Sequence, residues 1–213
     1  MNLKNRKIII TAGGTIEPID AVRYIGNFSS GKMGVAFVKV LKNITDNIVL
    51  IYGNINISLP AFSKNIKALT VEEMYKRIKE ELTEDAILIM AAAVSDFKVK
   101  KVAKNKIKKS KKIILELIPT RDILKSLARY KKERNYFIGF AAETEDLIEN
   151  AKRKMKEKKL DMIIANSITK DNNPFNSDYN SVTVITKDNI INLSKNKKIY
   201  IARKIISILM KEG

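Results

Sequence analysis

The chain contains no cysteine and no histidine. Without cysteine there is no disulfide framework, no thiolate metal site and no thiol nucleophile. That absence suits a reducing compartment. Without histidine there is no Ser-His-Asp triad, no histidine general base and no His-ligated zinc. Any catalysis must rest on Lys, Arg, Asp, Glu, Asn, Ser, Thr, Tyr, backbone amides or a hard cation held by oxygens. Long apolar runs are missing as well. None approaches the roughly 20 residues that cross a bilayer. The basic start, residues 1–7, leads only into Ile8-Ile9-Ile10, too short for a signal-peptide core. A cytoplasmic protein with no membrane partner is expected.

What the chain has in excess is positive charge, a formal net +18 over 213 residues. Clustered lysines and arginines would point to nucleic acid. Here they are spread over the whole chain, and few aromatics interleave with them. Nucleic-acid binding is therefore the weaker reading. A small anionic substrate, drawn in by the overall field, is the stronger one. The length fits a single domain over residues 1–213, large enough to bury a core without a staple.

The apolar pattern alternates between short buried runs and amphipathic stretches. Strands are predicted at residues 7–11, 47–52, 86–94, 113–118, 136–140 and 161–165. Helices are predicted at 34–41, 71–82, 121–130 and 147–159, with Thr120 as the cap of the third. A hairpin follows, 181–186 with 189–193 around Lys187-Asp188, and then a closing helix at 197–211. The lysine-rich stretch 98–112 breaks the alternation and predicts an exposed loop or flap. This order implies an α/β fold. It is a Rossmann-like, doubly wound, mainly parallel sheet with a small C-terminal hairpin and a closing helix. Ligands of such sheets bind beyond the carboxyl ends of the strands. Four strand ends carry unusual residues: Gly13-Gly14, residues 91–96, residues 140–143 and Asn166. They are expected to open into one crevice.

The densest motif runs from Thr11-Ala12-Gly13-Gly14-Thr15 through Arg23 to Asn27-Phe28-Ser29-Ser30-Gly31-Lys32-Met33-Gly34. Glycine turns that open a helix present free amides to phosphate. Two such turns within one stretch, with Arg, Asn and Lys beside them, favour phosphate binding over ordinary capping. The stretch from Gly26 to Lys32 has P-loop spacing, but Met33 stands where that loop needs a magnesium-binding Ser or Thr. A P-loop is therefore rejected. A dinucleotide oxidoreductase is disfavoured, because no Gly-x-Gly-x-x-Gly follows the first strand. Ala91-Ala92-Ala93-Val94-Ser95-Asp96-Phe97 ends a buried strand. Its small residues fit either a ligand lying on the backbone or close helix packing, and Asp96 fits a metal, a ribose or a helix cap. Residues 104–112 read as a solvated charge run or as a flap that closes over phosphates. Lys154 and Lys158 share one helix face, and spacing alone favours a solvated face there.

Together these stretches resemble the phosphopantothenate–cysteine ligase family, also called phosphopantothenoylcysteine synthetases, of coenzyme A biosynthesis. The resemblance covers nearly the whole chain. It is anchored by the block from Thr11 to Gly34, Ala91 to Phe97, and Lys106-Ile107-Lys108-Lys109. Further anchors are Gly139-Phe140-Ala141-Ala142-Glu143-Thr144, the lysine helix ending in Asp161, Ala165-Asn166, and Phe175-Asn176-Ser177-Asp178. It implies a stand-alone ligase without a flavin, a separate flavin-dependent decarboxylase, and a homodimer. It also implies a two-step reaction with Mg2+, in which 4′-phosphopantothenate and CTP form an acyl-cytidylate that L-cysteine then attacks. Carried over, Asn27 and Arg23 act at the acyl group. Gly13, Gly14, Ser29, Ser30, Met90, Ala91, Ala92, Asp96 and Lys106 belong to the nucleotide site. Asp122, Phe140, Lys154 and Lys158 complete it. Many bacterial members have Asn-Pro-Asp-Ile where this chain has Thr120-Arg121-Asp122-Ile123, and eukaryotic relatives use ATP. The resemblance therefore leaves CTP and ATP both open.

Overall fold

The computed structural model describes residues 1–168, 175 and 177–212. The chain opens with β1 (Ile8–Ala12), a small hairpin of β2 (Ile16–Pro18) and β3 (Tyr24–Gly26), and α1 (Lys32–Leu41). Then come β4 (Ile48–Tyr52), β5 (Lys64–Lys67), α2 (Val71–Glu81), β6 (Ile87–Met90), β7 (Phe97–Val99), β8 (Leu117–Pro119) and α3 (Ile123–Leu127). The last part holds β9 (Tyr136–Glu143), α4 (Leu147–Glu157), β10 (Met162–Ser167), β11 (Tyr179–Thr186), β12 (Ile190–Lys197) and α5 (Lys198–Lys211).

Among the described residues, eight strands form one sheet in the order β12-β11-β10-β9-β6-β1-β4-β5. The strands from β10 to β5 run parallel, and β11 and β12 add an antiparallel edge. This is the expected Rossmann-like, mainly parallel sheet. Strand side chains alternate between the two faces. Ile8 and Ile10 of β1 accordingly join α1 and α5 in one core, while Ile9 joins α2, α3 and α4 in the other. Burial on both faces is why β1 is a continuous apolar run. The helix α1 lies directly on β1. A Cβ at Gly34 would stand 2.6 Å from the Ala12 Cβ and 2.7 Å from the Thr11 carbonyl oxygen.

Several boundaries differ from the sequence expectation for physical reasons. The apolar run 86–94 is strand only to Met90, because Ala93 leaves the sheet to hydrogen-bond the first glycine turn. Residues 113–118 are not a core strand. Only the Leu117–Pro119 segment pairs, with Phe97–Val99, and Ile114 is 80% exposed. The helix expected at 121–130 is shortened to α3, and its cap is Asp122, which accepts from the Lys125 amide at 3.0 Å. Thr120 instead donates its hydroxyl to the Ser95 carbonyl. The hairpin of β2 and β3 and the polar edge strand β5 had no apolar signature to announce them. Among the described residues no helix is long and apolar enough to cross a membrane.

Candidate active site

The strands β6, β9 and β10 are parallel, so their carboxyl ends share one edge of the sheet. A cavity of about 890 Å³ opens there. Its floor is Met90, Ala91 and Ala92 after β6, with Phe140 of β9 and Asn166 of β10. Asn27, Ser29 and Ser30 lie on one wall, and Asp96, Asp122, Lys154 and Lys158 on another. Three of the four expected strand ends thus meet in one crevice.

Local chemistry explains the walls. Gly31 caps α1 in the left-handed region, at φ 75°, with no side-chain cap. Asn, Ser or another L residue would be strained there. The first amides of α1 lack intrahelical acceptors and, with the helix dipole, favour an anion. Asn27 donates through Nδ2 to the Val94 carbonyl at 2.8 Å, which ties the glycine block to the β6 end. Two buried threonines hold that end open. The amides of Ala92 and Ser95 donate to Thr11 Oγ1 at 3.0 Å and Thr15 Oγ1 at 2.8 Å. Ser30 donates to the Phe175 carbonyl at 2.8 Å. The motif Phe175-Asn176-Ser177-Asp178 is otherwise split, because Asn176 lies outside the described residues.

The α4 end of the crevice carries two ion pairs. Lys154 lies 2.6 Å from Glu143, and Lys158 lies 3.0 Å from Asp122, the residue that caps α3. Phe140 packs edge-on against Phe37 of α1 with centroids 6.0 Å apart.

Four expected site residues stand elsewhere. Gly13 and Gly14 do not line the cavity. They make the backbone crossing in which Gly14 bonds Asn54 and Gly13 bonds Ala93. A Cβ at Gly14 would come within 2.5 Å of the Asn27 carbonyl oxygen. Their glycines therefore serve chain packing in this structure. Arg23 is also outside the lining, and its guanidinium contacts Asp20 and the Ile107 carbonyl, the latter at 2.8 Å. Lys106 is exposed beside it. Asp20, unremarked in the sequence, is the hub of this corner. Its buried carboxylate accepts from the amides of Val22, Arg23 and Ile107 as well as the guanidinium. The Arg23 hydrogen bond, then the Ile107 amide, holds that carboxyl well below the ordinary range. Sequence reading also passed over Asn180 and Lys198, which line the cavity. The signal for Lys198 was present: it precedes Ile201, Ala202, Ile205 and Leu209 on the buried stripe of α5, where a lysine does not belong.

A crevice at the strand ends of a doubly wound sheet is where α/β proteins of this class bind their ligands, and open helix amides and lysines at its walls suit an anionic one. Residues 3–212 match the family described as the DNA/pantothenate metabolism flavoprotein C-terminal domain. The chain is 37% identical over 207 residues to the coenzyme A biosynthesis bifunctional protein CoaBC of Haemophilus influenzae, covering 97% of this chain and 52% of that protein. It thus spans about half the length of such relatives. The crystal structure of the C-terminal domain of a CoaBC protein superposes with TM-score 0.82 at 32% identity, covering 100% of both chains. A Cab2 mutant in complex with phosphopantothenate-cysteine shares the fold, with TM-score 0.76 at 18% identity over 98% of this chain and 86% of that one. The chain belongs to the DNA/pantothenate metabolism flavoprotein C-terminal domain family. Its relatives include coenzyme A biosynthesis bifunctional proteins and, among solved structures, the C-terminal domain of one of them.

Proposed function

We propose that this chain is a phosphopantothenate–cysteine ligase acting through an acyl-nucleotide. The observation that carries the reading is the meeting of Asn27, the open amides of α1, the Met90 to Ala92 backbone, Phe140 and two lysines in one crevice. In the first step the carboxylate of 4′-phosphopantothenate attacks the α-phosphate of CTP and pyrophosphate leaves. In the second the cysteine amine attacks the acyl carbon, giving the amide and CMP. Neither step changes an oxidation state, so the reaction needs no flavin. Neither step needs histidine, because pyrophosphate leaves in the first and the mixed anhydride supplies CMP as the leaving group in the second, while the protein positions and neutralises charge.

Asn27 holds the acyl end. The α1 amides with Ser29 and Ser30 meet phosphates, and Asp96, Asp122, Phe140, Lys154 and Lys158 surround the nucleoside. Arg23 and Lys106 lie outside the cavity lining, so their part requires the hairpin of β2 and β3 or segment 100–112 to move toward Asn27. Gly13 and Gly14 shape the turn behind Asn27. Among the described residues no three carboxylates converge on a metal site. Magnesium commonly arrives on substrate phosphates with one or two protein carboxylates, and the exposed Asp96 on the cavity wall fits that donor role. Bound there, the ion would offset triphosphate charge.

A homodimer is part of the proposal. Val22 (62% exposed), Tyr24 (52%) and Phe97 (51%) bring apolar surface to adjoining hairpins, with Phe28 (81%) at the cavity mouth. Patches of this kind mark association surfaces. The test of function is product formation from 4′-phosphopantothenate and cysteine with CTP and ATP run side by side in Mg2+. Phosphopantothenoylcysteine with matching nucleoside monophosphate is expected, faster with CTP. Consumption of neither nucleotide overturns the reading.

A further inference from the structure

Asp20 divides its two carboxylate oxygens between two tasks. Oδ1 accepts from the amides of Val22 and Arg23, both at 2.8 Å, and so closes its own turn. Oδ2 reaches outside that turn. It accepts from Arg23 Nε at 3.0 Å, from Arg23 Nη2, and from the amide of Ile107, 87 residues along the chain, at 3.0 Å. Arg23 Nη2 donates in addition to the Ile107 carbonyl at 2.8 Å. Both backbone polar groups of Ile107 are thus gripped by the Asp20–Arg23 pair.

The Asp20 side chain is wholly out of water, while that of Arg23 is 40% exposed. A buried carboxylate stripped of its partner is costly, so Asp20 holds the guanidinium where it stands. The grip uses Nε and Nη2. Among the described residues Nη1 has no partner, which leaves one donor edge for an anion. The gripped segment is otherwise loosely held. Residues 104–112 carry six lysines and no carboxylate. Like charges spread such a run. Among the described residues, Ile107 is its only member hydrogen-bonded outside the segment. Lys106 is exposed next to that single pin.

We propose that Asp20 is a positioning residue of the ligase site: through Oδ2 it fixes the Arg23 guanidinium and the segment bearing Lys106 as one unit, so that the two reach the reacting groups together. The reaction rests on the ligase reading; the grip does not. Asp20→Asn separates the two tasks, because asparagine closes such a turn with Oδ1 and then points its Nδ2 donor at the three donors that Oδ2 served. Ile107→Pro removes the gripped amide from the other side. Ile107 lies outside both cores, so that variant leaves them intact. Hydrogen–deuterium exchange of the whole chain without substrates is the first measurement. In both variants peptides from residues 100–112 should exchange about 10-fold faster, while those from β1 exchange as in the wild type. The second is a kinetic cycle with Arg23→Ala. Asp20→Asn should lower kcat about 10-fold when Arg23 is present and less than about 3-fold when it is absent, with KM for the nucleotide moving less than about 3-fold. Unchanged exchange at 100–112 in either variant, or kcat losses that simply multiply in the cycle, would overturn the proposal. The expected exchange in a chain that turns over neither CTP nor ATP would count against the ligase reading alone.

Discussion

Asn27 donates one hydrogen bond, to the Val94 carbonyl, and otherwise projects at an exposed position on the cavity wall. Asn27→Asp replaces that donor with an acceptor and puts a negative charge where an anionic substrate is to react. Loss of one such oriented donor costs about 100-fold in turnover. Steady-state pyrophosphate release should fall by that order while circular dichroism stays unchanged; undiminished kinetics would remove Asn27 from the mechanism.

At the scale of elements, segment 100–112 is joined to the hairpin of β2 and β3 through Asp20. The Ile107 amide donates to Asp20 at 3.0 Å, Arg23 donates to the Ile107 carbonyl, and the Ala103 amide donates to the Ile19 carbonyl. Asp20→Asn removes the charge that holds this corner. Trypsin should then cut within residues 104–112 about 10-fold faster, followed by mass spectrometry of the fragments. An unchanged rate would show that the segment is held elsewhere. The elements readable from sequence were those with a strong period. The strands β1, β4 and β6, buried on both faces, and the amphipathic α2 and α5 were plain. Invisible were pieces whose partners are distant. Lys64–Lys67 is a strand only because Tyr52 and its neighbours offer a free edge. Ile113 and Ile114 look like core but find no sheet, and Asp122 outcompetes Thr120 as a cap because Thr120 is drawn to Ser95. Gly13 and Gly14 were conspicuous as glycines, but sequence cannot tell close chain packing from close ligand approach.

For the whole molecule, the strand order brings residues far apart in the chain, Asn27, Met90, Phe140 and Lys198, to one edge of the sheet. That convergence was legible for the strand ends, because parallel strands must end together. The wall formed by α5 was not, because its lysine lies on an otherwise apolar stripe and needs the antiparallel edge to bring it round. The central claim is two-step ligation in this crevice, and it is tested most directly by order of addition. The chain mixed with CTP, Mg2+ and 4′-phosphopantothenate, without cysteine, should release about one equivalent of pyrophosphate per site and retain the CMP moiety. Adding L-cysteine should then release CMP and start steady turnover. No pyrophosphate with either CTP or ATP, or free CMP appearing equally fast before cysteine is added, would contradict the account.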